Sequence, residues 1–303
     1  MSLIHKLAKT FEVDLAFGLT DRLGITEIFL DEMSIDDLRS ILAQYGDAGK
    51  ASCFFFVSKE KIPSNETLLE RSSKFFSVPP DSEAWEDHPY FDEARIHIPT
   101  NTFKVWFHYL KGVIPFYDEE ARRIRENRLV HHGVLVYRPD HSLLEVRTRY
   151  KGMASKVVNR AAVYLGLEPF FSVNMLRKGY VKSFIDWINS LNNARFEMPF
   201  SEATESIMIT AREGVDLRNL KRFHDELKRG KLRGGHVTIF RNETHQIRFN
   251  IYFRGCHLSF TSYSSEQDIE FVADALEKMT EGYRFATPER LLEEFLRGKS
   301  QET

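Results

Sequence analysis

The stretch "HHGVLVYRPDHSLLEVRTRYKGMASKVVNRAAVYLG", residues 131–166, changes its period halfway along. As far as Tyr150, apolar and polar residues alternate in two runs parted by "RPDHS". Proline and aspartate fit turn positions there, so the pattern predicts a β-hairpin. From Lys151 onward, Ala154, Val157, Val158, Ala161 and Leu165 recur at helical spacing, and Gly166 ends the run. Strands that feed directly into an amphipathic helix predict the α+β class.

The same order returns downstream. "HVTIF", "HQIRFNIYF" and "CHLSFTSY" read as strands, and "QDIEFVADALEKM" as a helix opened by Ser265 with Asp268 in the capping-box position. This recurrence suggests a diverged two-fold repeat. "ARIHIPT", "FKVWFHYL" and "SIMITA" add strands, while "GYVKSFIDWINSLNN" and "TPERLLEEFLR" add helices. Toward the N-terminus, "LIHKLAKTFEVDLAFGL" has helical spacing. Ser34 and Asp37 cap a second helix, whose expected buried face is Ile35, Leu38, Ile41, Leu42 and Tyr45. "ASCFFFVS" reads as a strand and "SNETLLERSSKFF" as another capped helix. The segment "SVPPDSEAWEDHPYFDE", rich in proline and acid, suggests a boundary near residue 90. The expected organisation is a mainly helical N-terminal domain (1–90) and two α+β units with packed helices on antiparallel sheet (91–200 and 201–303).

An apolar fraction of 42% and 25 phenylalanines suit a chain with substantial cores. No apolar run reaches the roughly 20 residues that a membrane span needs. The first residues carry acids too early for a signal peptide. Cys53 and Cys256 read as free, buried thiols, which fit a soluble, cytoplasmic protein.

The net charge of −2 conceals an asymmetry. Residues 1–100 hold 10 Lys and Arg against 18 Asp and Glu, residues 101–250 hold 26 against 16, and residues 251–303 hold 6 against 10. A basic centre between acidic ends favours a polyanionic partner, or an acidic end docked on that centre.

Motifs for chemistry are weak. Asp140 and Glu145 resemble parts of a metal-dependent nuclease site, but they sit across a turn, and Arg147 stands where a lysine is wanted. His131 and His132 are adjacent, so a strand points them to opposite faces. His97, His108 and His257 read as structural. No zinc spacing, phosphate loop, dinucleotide fingerprint or nucleophile elbow occurs. No cofactor, metal or catalytic residue is assigned.

Basic residues carry the functional expectation. Arg147 and Arg149 alternate along one predicted strand, followed by Lys151, Lys156 and Arg160. A predicted helix over 217–229 presents Arg218, Lys221, Arg222, Lys228 and Arg229. Lys231 and Arg233 continue its charge into an expected loop ending in Gly234 and Gly235. Arg248, Asn250, Tyr252 and Arg254 share a strand face opposite Ile247, Phe249, Ile251 and Phe253. Arginines beside an aromatic on an exposed sheet face suit contact with phosphates and bases. The expectation is a non-enzymatic nucleic-acid-binding protein, whether for DNA or RNA, with a protein partner served by the acidic N-terminal part. The alternatives are an assembly subunit whose basic face meets an acidic protein, and an enzyme with an unrecognised site.

Overall fold

The computed structural model describes residues 22–48, 51–73, 89–118, 122–139, 143–173, 180–198, 206–253, 256–260 and 264–281, together with 7, 8, 11, 13 and 141. The expected helix "TPERLLEEFLR", most of "LIHKLAKTFEVDLAFGL", residues 77–88 of the proline-rich segment, Asp140 and Arg254 lie outside the described residues.

The described elements are α1 (Arg22–Glu32), α2 (Ile35–Tyr45), β1 (Ser52–Val57), α3 (Asn65–Ser72), β2 (Tyr90–His97), β3 (Thr102–Asp118), β4 (Arg123–Tyr137), β5 (Leu143–Arg147), α4 (Lys151–Leu165), β6 (Phe171–Ser172), α5 (Tyr180–Trp187), β7 (Ser190–Glu197), β8 (Ser206–Thr210), α6 (Lys221–Arg229), β9 (Lys231–Phe240), β10 (Gln246–Tyr252), β11 (His257–Phe260) and α7 (Glu266–Glu281). This is an α+β protein. Its strands form one antiparallel sheet in the order β2-β3-β4-β5-β1-β11-β10-β9-β7-β8, with the short β6 beside β1.

The sheet runs unbroken across both expected boundaries, near residues 90 and 200. β1, the strand "SCFFFV", comes from the N-terminal segment yet sits at the centre, bonded to β5 on one side and β11 on the other. β7 lies before residue 200 and pairs with β8 and β9 beyond it. α1 and α2 meet residues 8, 11 and 13 in a small apolar cluster. In α2, Leu38 and Ile41 pack into this cluster, whereas Ile35 and Leu42 stay exposed. The inward stripe is therefore narrower than the helical spacing alone suggests.

Alternation along β1 divides the core between two sides. Phe54 and Phe56 face the front, where Ala154, Val157, Val158, Ala161 and Leu165 of α4 and Leu68 of α3 cover them. Cys53 and Phe55 face the back, in a cluster with Phe184 of α5, Phe223 of α6 and Ile269, Val272 and Leu276 of α7. Each fully buried aliphatic or aromatic side chain contributes about 1.5–3 kcal/mol by leaving water. The helices thus cover opposite faces of the two halves of the sheet. On the front of β11, β10, β9, β7 and β8 no described helix packs, and polar residues such as Arg248 there meet the surface.

Candidate functional site

β10 shows how the open front arises. Ile247, Phe249 and Ile251 are buried on the back, while Arg248 and Tyr252 are exposed on the front with Asn250 half-buried between them. A strand buried on one face only must alternate in this way. Pairing extends the front row across the sheet, because directly opposed residues share a face. Phe54 of β1 opposes His257 of β11, and His257 opposes Tyr252 of β10.

Those three side chains form a stack. The Phe54 and His257 rings lie 4.4 Å apart at 14°, and the His257 and Tyr252 rings 5.1 Å apart at 16°. His257 Nε2 is buried with no hydrogen-bond partner among the described residues. Burial, and then the charge of Lys151, holds its imidazole below the ordinary histidine range, so it is neutral at neutral pH. His97, by contrast, bonds to Thr100 and to the Ala43 carbonyl, as a structural histidine does. His131 stacks beside Tyr109 while His132 lies near His108 on the other face, as adjacency in a strand requires.

The stack lines a cavity of about 760 Å³ on the front of the sheet. Arg149, Lys151, Arg195 and Arg233 share its wall, and Glu197 is the one acid there among the described residues. Glu197 pairs with Arg233. Tyr150 and Lys151 bring the N-terminus of α4 to the rim, and the Tyr150 side chain makes no capping hydrogen bond there. Unsatisfied backbone N–H groups at such an end favour an anion. The site therefore offers cations, amide donors and stacked rings on one surface.

The structure sorts the residues expected to bind. Arg149, Lys151, Arg233 and Tyr252 are brought together in this cavity. Arg248 is exposed on the same front, bonded to Gln246. Arg195, Asn193 and His257 also line it. The helix expected through "GYVKSFIDWINSLNN" ends at Trp187, and β7 begins at Ser190, so the expected helix hides the alternation that carries Arg195. Lys156 is exposed on α4, and Arg160 is half-buried, bonding to the Pro89 carbonyl and the Tyr164 hydroxyl.

The basic helix lies elsewhere. Phe223 of α6 packs on Phe196, behind the sheet, so exposed Lys221, Arg222, Lys228 and Arg229 belong to the opposite side from the cavity. Arg218 precedes α6 in a 3₁₀ turn and is occupied by Asp216 and the carbonyls of Ile185 and Ile188. The expected loop at Lys231–Gly235 is instead the start of β9, and Gly234 and Gly235 sit in its ladders.

Arg147 differs most from expectation. It shares a sheet face with Glu145, as alternation predicts, but that face is the covered back. Its guanidinium bonds Glu145 at 2.6 Å and both oxygens of Glu266 at 2.5 and 2.8 Å. Lys104 adds ion pairs to Asp47 and Glu266, each at 3.0 Å, and Arg138 bonds Glu145 at 2.7 Å. Burial raises the Glu145 carboxyl, but Arg147 and Arg138 outweigh it and hold the group down at about 2. Lys104, Glu145, Arg147 and Glu266 are buried, so Arg147 is not on the exposed face expected of it. Neither Cys53 nor Cys256 is in a disulfide; both are buried, and burial pushes their thiols up.

Among the described residues no group of three or more His, Cys, Asp and Glu could hold a metal ion. No described helix is long and apolar enough to cross a membrane. Comparison of the sequence with protein-family models and with curated proteins finds no match.

Proposed function

We propose that this chain binds nucleic acid through the open front of β11, β10, β9 and β7, without catalysing a reaction on it. The observation that carries the reading is the meeting of Arg149, Lys151, Arg195 and Arg233 with the Phe54–His257–Tyr252 stack in one concavity. Cations that track a phosphate backbone beside rings that accept bases are the two elements of single-strand recognition. Of the residues expected from sequence, Arg149, Lys151, Arg233, Arg248 and Tyr252 form this surface. Free buried thiols suit the cytoplasm. The meander β3-β4-β5 followed by α4, and the meander β9-β10-β11 followed by α7, suit a diverged duplication.

The test is binding of labelled oligonucleotides, followed by fluorescence anisotropy across a salt series. On single strands each neutralised phosphate contributes about −0.7 to the log–log slope. Arg149→Ala with Lys151→Ala should flatten it by roughly 1.4 if each residue meets one phosphate. An unchanged slope would remove this rim from the interface.

A second reading rests on α6. Its exposed Lys221, Arg222, Lys228 and Arg229 lie behind the sheet, where they suit an acidic protein surface. Lys228→Ala with Arg229→Ala should leave the nucleic-acid salt slope unchanged and weaken any such protein contact.

A further inference from the structure

The front row that begins Phe54–His257–Tyr252 continues across two more strands. Tyr252 opposes Gly234 of β9, and Gly234 opposes Arg195 of β7. The row therefore runs ring, ring, ring, gap, guanidinium. A Cβ at Gly234 would come within 2.2 Å of the Ile251 carbonyl oxygen, so the position admits only glycine; Gly234 is itself buried, at the floor of the cavity that it lines. Neighbouring strands are about 4.8 Å apart, so the backbones that carry Tyr252 and Arg195 stand roughly 9.5 Å apart across the gap. The Arg195 guanidinium reaches to Ser206 of β8 at 3.4 Å, which leaves room for a planar ring beside Tyr252.

The chemistry around the gap is directional. Two residues along the same strands stand Asn250, beside Tyr252, and Asn193, beside Arg195. Both line the cavity. His236 Nδ1 meets Asn250 Oδ1 at 3.0 Å, and the His236 backbone N–H donates to Asn193 Oδ1 at 2.8 Å. With both amide oxygens engaged, the NH₂ groups are what the pair can offer an incoming ring, and they suit an edge rich in acceptors. Arginine stacks on planar π-systems as well as carrying charge. Arg149 and Lys151 line the same cavity.

Resting on the nucleic-acid reading above, we infer that the space over Gly234 is a slot for one unstacked nucleobase, held between the Tyr252 ring and the Arg195 guanidinium. A base within a duplex cannot enter it, so the ligand is single-stranded. The same base chemistry could come from a free nucleotide, and the experiment separates the two sources.

The probe is a short single-stranded oligonucleotide carrying one 2-aminopurine, compared with the same strand abasic at that position, its duplex, and the free 2-aminopurine nucleotide. Binding of the strand should quench 2-aminopurine fluorescence. The abasic strand and Tyr252→Ala should each lose roughly tenfold in affinity, within the range of base–aromatic stacking. Tyr252→Phe should retain binding, and Arg195→Lys should lose more than a pure charge contact would. Tyr252 is exposed, so circular dichroism of Tyr252→Ala should match the parent. If strand, abasic strand and duplex bind alike and Tyr252→Ala has no effect, the slot is overturned while the nucleic-acid reading stands. If the free nucleotide is quenched as strongly as the strand and depends on Tyr252, the slot stands and the polymer reading falls. If nothing binds, both fall.

Discussion

At Glu145 a single carboxylate ties two guanidiniums, through Arg147 at 2.6 Å and Arg138 at 2.7 Å, with no exposure to solvent. Removing its charge leaves two buried cations undercompensated, and breaking a buried pair in this way costs about 3–5 kcal/mol. Glu145→Gln should lower the unfolding free energy by that amount in urea titration, whereas Arg248→Ala on the open front should stay within about 0.5 kcal/mol. Equal effects would show that the cluster is not the anchor described. The pair Arg147 and Arg248 also shows what sequence can tell at this scale. Both alternate with apolar neighbours, and both alternations are correct. Period two gives the face of a strand but not what lies over it. Over Arg248 no described element packs, while over Arg147 lies α7 with Glu266, and only tertiary contact distinguishes them. Arg149, Lys151, Arg233 and Tyr252 could be named singly for the same reason, but their convergence needed the strand order.

Among the elements, those closed by local chemistry were legible. Ser265 and Asp268 form the reciprocal capping box at the start of α7, with the Ser265 N–H donating to Asp268 at 2.9 Å and the Asp268 N–H to Ser265 at 3.3 Å. At α2 the Asp37 N–H donates to Ser34 Oγ at 3.1 Å, and the Ser34 hydroxyl donates to Asp37 Oδ2 at 2.6 Å. The cap of α7 is buried, and its Asp268 also accepts from Arg241 at 3.0 Å. Ser265→Ala should therefore cost about 1–2 kcal/mol, toward the upper end for N-caps, and Ser34→Ala, which is exposed, about 0.5 kcal/mol. Chemical denaturation of the two variants checks the order. Less legible were elements whose limits depend on partners. β3 and β4 continue as a two-stranded ribbon past a bulge between Leu110 and Val113, well beyond the apolar run "FKVWFHYL". Strand pairing continues from Val113–Arg128 to Asp118–Arg123, and the apolar alternation does not announce it.

For the whole molecule, the buried charges set an acid limit. For Asp47 and Glu266, burial raises the carboxyl, but the nearby Lys104 and Arg147 respectively outweigh it, and both are lowered from 3.8 and 4.5. Glu145 is lowered from 4.5 to about 2. A depressed carboxylate contributes stability above its unfolded value that is lost as pH falls toward the folded one. His97 and His257 are both lowered from 6.5, chiefly by burial. Below 6.5 the unfolded chain binds more protons at these sites, so they too favour unfolding in acid. Glu270, raised by burial, acts in the opposite sense. The urea midpoint should fall in two stages, first below about pH 6.5 and again below about pH 4.5. A midpoint that is flat from pH 7 to 3 would contradict the buried network. The central position of β1 has a further consequence, for the order of synthesis. A ribosome adds about 5–20 residues per second, so "SCFFFV" emerges on the order of ten seconds or more before its last partner, β11, exists. During that interval the most apolar strand of the sheet has at least one bare edge, the feature that recruits other chains. That unpaired edge is where pairing with another chain can compete with folding while the protein is being made.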